Sequence, residues 1–106
     1  MASITELRRR AAELSFVGKH RKAAEIYQEL LDLAPSDAQL ALKLGETRRR
    51  LGDLPGAVAA YERAAELYKA AGLEGKAAAA ARVVAEMSRQ LDDGAGNVRW
   101  WRRLFA

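Results

Sequence analysis

The sequence contains no cysteine, two prolines and one histidine among its 106 residues. Each scarcity removes a class of chemistry. Without cysteine there is neither a disulfide framework nor a thiolate metal site, and the composition fits a reducing, cytoplasmic setting. The lone histidine, His20, lies in the stretch "GKHRK", where a solvent-facing side chain is expected. No His/Cys/Asp cluster has metal-ligand spacing, no glycine-rich phosphate loop is present and no nucleophile elbow appears. The stretch "DDGAGN" at 92–97 lacks the spaced carboxylates of a calcium loop and reads as a linker. Neither catalysis nor a cofactor or metal is expected. No apolar run approaches the ~20 residues that cross a bilayer, and "MASITELRRR" has no apolar secretory core. With only Pro35 and Pro55 to interrupt helices, and almost no β-branched alternation, strands are not expected.

What is present is a run of helix formers. Ala, Leu, Arg, Glu and Lys dominate, which predicts an all-α fold in one small domain. The net charge is +4. Most of that excess sits in residues 94–106, where Arg99, Arg102 and Arg103 face no acid. The remainder is nearly balanced and lacks the broad basic footprint of a nucleic-acid binder, so no nucleic-acid partner is expected.

The stretch "GKHRKAAEIYQELLDLAP" (18–35) aligns with "GDLPGAVAAYERAAELYK" (52–69). Gly18 matches Gly52, Ala23 matches Ala57, Tyr27 matches Tyr61 and Leu33 matches Leu67, each pair 34 residues apart. Repeat one, 4–37, has Ala11, Gly18, Ala23, Tyr27, Leu30 and Pro35; repeat two, 38–71, has Gly45, Gly52, Ala57, Tyr61 and Ala64. This succession resembles the tetratricopeptide repeat. It departs from that pattern at Lys69, which stands for the expected proline, and at Leu7 and Ala41, which stand for an early tryptophan. Small residues let antiparallel helices approach closely, and the aromatic fills the space above them. Gly18 and Gly52 suit the left-handed residue that ends a helix. Asp53 is expected to cap the next helix with Pro55 in its first turn, and Ser36 or Asp37 to cap the helix after Pro35.

Because Lys69 does not stop the helix begun near Leu54, that helix is expected to continue to about Ala71, until Gly72. Gly72 to Ala77 repeats the spacing of Gly18 to Ala23. Residues 73–92 then form either a partial third unit or a plain capping helix. Both alternatives give a tetratricopeptide-like domain over 1–92, with five antiparallel helices in a right-handed α-solenoid. A glycine-rich linker (93–97) and a short C-terminal amphipathic helix (98–106) complete the expected architecture. The run Ala77–Ala81 reads as strong helix propensity with a smooth packable face, and alternatively as one wall of a docking groove.

The resemblance implies a non-catalytic adaptor or scaffold that holds a peptide or helix in a groove lined by the first helix of each repeat. Carried onto this chain, the groove positions are Arg8, Arg9, Ala12 and Phe16 from repeat one, and Gln39, Leu42, Lys43, Glu46, Arg49 and Arg50 from repeat two. The basic residues among them favour an acidic partner, since arginine grips carboxylates. The carboxylate clamp of chaperone-binding members is incomplete: Arg8 can stand for its first lysine, but Ala12 and Lys43 occupy its two asparagine places. The alternative is that "RRR" at 8–10 and at 48–50 only solubilise the chain. On a helix, Val98, Trp100, Trp101, Leu104 and Phe105 of the tail share one side and Arg99, Arg102 and Arg103 the other. Two turns are too short to be helical alone in water. Three surfaces can order them: the body of this chain or of a second copy in a homodimer, another protein, or an anionic membrane surface.

Overall fold

The computed structural model describes residues 3–91; the linker and tail expected over 93–106 lie outside the described residues. The described chain is all-helical. Five helices follow in order: α1 (Ile4–Phe16), α2 (His20–Leu33), α3 (Ala38–Leu51), α4 (Leu54–Ala70) and α5 (Glu74–Arg89). Each packs chiefly on the helix next in sequence.

The turns follow from residue type. Gly18, Gly52 and Gly72 take φ of +85°, +90° and +79°, a region closed to most side chains. In each case the residue after the glycine donates back into the helix: Lys19 N–H to Leu14 O at 2.8 Å, Asp53 N–H to Arg48 O at 2.9 Å, and Leu73 N–H to Tyr68 O at 2.9 Å. These bonds satisfy carbonyls that a helix end would otherwise leave bare. Three starts are capped by side chains. Ser3 Oγ accepts from Glu6 N–H at 3.1 Å, Asp37 Oδ1 from Leu40 N–H at 3.2 Å and Asp53 Oδ1 from Gly56 N–H at 3.0 Å. Pro55 lies in the first turn of α4, where no backbone donor is required. Of the two candidates after Pro35, Asp37 is the cap.

The 34-residue spacing carries into the core. Ala23 and Ala57 are both wholly buried, and Tyr27 and Tyr61 are 6% and 4% exposed. Leu30, Leu40 and Leu44 fill the space between α2 and α3. Met87 of α5 is buried with Ala57 and Tyr61 of α4. Burying one such Leu or Met side chain is worth ~1.5–3 kcal/mol. Arg48, for which a solely solubilising role was the alternative, is part of the packing. Its guanidinium donates to Gln28 Oε1 at 2.9 Å and to Gly56 O at 3.3 Å, joining α2, α3 and α4. His20 also differs from expectation. It opens α2, is half-buried, and its buried Nδ1 has no partner among the described residues.

Candidate functional site

A cleft of about 250 Å³ lies between α1 and α3, lined by Ala12, Ser15, Phe16, Tyr27, Lys43, Glu46, Thr47 and Arg50. Helical spacing assembles it. Ala12, Ser15 and Phe16 share one stripe of α1, while Lys43, Glu46, Thr47 and Arg50 share one stripe of α3. Phe16 is 91% exposed at the rim, a large apolar side chain with nothing packed over it among the described residues. Tyr27 forms the floor from α2. Thr47 is buried, and its Oγ1 donates to Lys43 O at 2.7 Å.

Charge is arranged around a central carboxylate. Burial raises the Tyr27 hydroxyl above its ordinary pKa of 10.0; Glu46 adds to the rise and Arg8 opposes it. Tyr61 is raised likewise, by burial first and Glu46 second, against the charge and hydrogen bond of Arg49 and the charge of Arg50. Both phenols are therefore neutral at physiological pH, and both feel the charge of Glu46. Lys43 Nζ lies 3.9 Å from Glu46 Oε2. Among the described residues Arg9, Arg49 and Arg50 make no ion pair.

No family model matches this chain, and no curated protein does.

Of the ten groove positions expected from the sequence, the cleft brings together Ala12, Phe16, Lys43, Glu46 and Arg50. Arg9 and Gln39 are exposed outside its lining. Arg8 ion-pairs with Asp37, the residue that caps α3, so its charge is already engaged. Leu42 is half-buried and packs against the clusters holding Tyr68 and Met87. Arg49 is turned toward Tyr61. Ser15, Tyr27 and Thr47 line the cleft although none was among the expected groove positions, Tyr27 being expected only as the repeat aromatic. Ser15 and Thr47 were accessible from the sequence, since each stands three or four residues from an expected lining residue on the same helix. The stripe on α3 is centred nearer Thr47 than the expected set, which leaned toward Leu42 and Arg49.

Among the described residues the cleft contains three hydroxyls, of Ser15, Tyr27 and Thr47, a paired carboxylate and no histidine. The Thr47 hydroxyl proton is donated to the backbone, and the Glu46 carboxylate lies near the Lys43 ammonium. Among the described residues no group of three His, Asp or Glu side chains is placed to hold a metal, and no helix is long and apolar enough to cross a membrane. What the arrangement offers chemically is an apolar anchor at Phe16, cations at Lys43 and Arg50, and the neutral phenol of Tyr27 at the floor.

Proposed function

We propose that this protein is a non-catalytic adaptor, a right-handed tetratricopeptide-like solenoid that takes an acidic peptide or helix in the α1–α3 cleft. The observation that carries this reading is the exposed Phe16 beside Lys43 and Arg50 at the rim of a cleft between two repeat-equivalent helices. An apolar contact flanked by arginine and lysine is the pattern of an interface anchor. The solenoid is supported by the repeated glycine turns, by matched burial at repeat-equivalent positions and by elongation. The radius of gyration is 14.9 Å, against about 13 Å for a compact domain of 100 residues. The proposed domain runs over 1–92, with α1–α2 and α3–α4 as the two repeats and α5 as the third unit or cap. The partner's carboxylates would meet Lys43 and Arg50 at the rim, because Glu46 repels anions from the centre. A cytoplasmic setting accords with the absence of cysteine.

Labelled amphipathic peptides test this directly. A peptide alternating Glu with Leu and Phe should bind, and one with Lys in place of Glu should not. Lys43→Glu with Arg50→Glu should weaken the acidic peptide at least tenfold, which is ~1.4 kcal/mol. Equal binding of both peptides, or an unchanged Kd in the double variant, rejects the reading.

A further inference from the structure

A second cleft, of about 360 Å³, runs between α4 and α5. Its walls are methyl groups: Ala65 from α4, and Ala77, Ala78 and Ala81 from α5. Glu66 and Glu74 stand at its rim, with Lys69 at the end near the α4–α5 turn. Glu62 lies one turn before Glu66 on the same exposed stripe of α4. The cleft belongs to a lightly covered helix, the last one described. Whereas α4 buries five residues, α5 buries only Ala80 and Met87, and its principal neighbour is α4.

Three observations select what covers it. The first is size. Walls reduced to methyls leave room for large side chains, and residues 98–105, if helical, would bring Trp100, Trp101, Leu104 and Phe105 to one side. Each Trp brings roughly 150–250 Å² to bury. The second is charge. On such a helix Arg99, Arg102 and Arg103 would take the other side, while Glu66 and Glu74 stand at the rim of the cleft with Lys69 at one end, and Glu62 follows one turn away on α4. The third is tether. The described chain reaches Leu91 just past the end of α5. Residues 92–97 could span ~20 Å if extended, while neighbouring helix axes lie ~8–10 Å apart. Reversing direction is all that is needed to run back along α5 toward Ala81 and Ala78.

We propose that residues 98–105 dock as an amphipathic helix in the α4–α5 cleft of their own chain, adding a sixth helix to the stack. This surface is separate from the α1–α3 cleft, so either proposal can fail without the other.

Both tryptophans of the protein are Trp100 and Trp101, so emission from the full-length chain reports on this segment alone. The wild-type protein is expected to emit blue of a free indole, to resist acrylamide quenching, and to keep both properties on dilution without lipid. Ala81→Arg puts a bulky cation where the tail's tryptophans and arginines would lie. It should red-shift the emission to that of free indole and raise the quenching constant several-fold. Ala79→Arg, also exposed on the same helix but outside the cleft, should leave both unchanged. Matching far-ultraviolet circular dichroism of the two variants would show that the body is folded in each. Four results overturn the proposal. They are free-indole emission from the wild type, a blue shift lost on dilution (docking on a second copy), a blue shift that appears only with phosphatidylglycerol vesicles, and an Ala81→Arg emission identical to wild type.

Discussion

Gly45 shows how narrowly one side chain can set a helix contact. A Cβ added there would lie 3.0 Å from Tyr61 Cδ2 and 3.1 Å from its Cε2 and Cγ. At the equivalent place in the first repeat, Ala11 carries its methyl wholly buried. Gly45→Ala gains helix propensity of ~1 kcal/mol but must push the Tyr61 ring aside. Gly45→Val cannot be accommodated that way and should cost ~1–3 kcal/mol, read as a lower urea midpoint with an unchanged slope. The tyrosines make a second prediction at this scale. Both hydroxyls are raised above 10.0 in the folded chain. Below that pH the phenols are protonated folded and unfolded, and their contribution to stability is fully present. As pH rises past it the unfolded chain ionises first, so stability falls until the raised folded value is passed. Urea titrations from about pH 9 to about pH 11 should show that loss. Tyr61→Phe should make the slope shallower, which ties the loss to the phenol.

At the scale of helices and turns, Asp37 has two tasks. It caps α3 through Leu40 N–H and holds the Arg8 guanidinium of α1. Loss of the cap costs ~1 kcal/mol, whereas the pair with Arg8, 41% exposed, is worth less than ~1 kcal/mol. Asp37→Ala should therefore destabilise clearly more than Arg8→Ala, and denaturation of the two single variants and the double variant gives the coupling. Equal losses in both single variants would place the stability in the ion pair instead. The same contrast marks what was legible in the sequence. Gly18, Gly52 and Gly72, Asp53 with Pro55, and the matched Ala and Tyr positions were readable because residue type alone dictates a left-handed turn, a cap or a close approach. Arg8, Arg48 and Leu42 were not. Their surroundings depend on how far each helix is rotated against its neighbour, and a period cannot fix that rotation. The α3 stripe centred on Thr47 rather than leaning to Leu42 is the clearest case, and it decides which cations reach the cleft. His20 escaped for a related reason: nothing in "GKHRK" reveals that the opening turn of α2 half-buries it.

At the scale of the whole molecule, packing between successive helices implies graded rather than uniform stability. Leu30 is buried where α1, α2 and α3 meet, and Met87 is buried where α5 meets α4. Either residue cut to alanine should cost ~2–5 kcal/mol locally. The difference lies in how far the loss spreads. Leu30→Ala removes a contact near the middle of the described stack and should lower amide protection from α1 through α4. Met87→Ala releases the terminal helix, so exchange should accelerate in α5 and the last turns of α4 while α1 and α2 keep their protection. Hydrogen exchange resolved by helix reads both. A uniform acceleration in Met87→Ala would mean that the five helices unfold as one unit, and near-neighbour coupling would not describe this protein. If residues 98–105 cover α5, the wild-type helix should be protected beyond what its two buried residues supply. Ala81→Arg should then lower protection in α5 without disturbing α1 and α2, linking the emission change of the tail to the stability of the helix it covers.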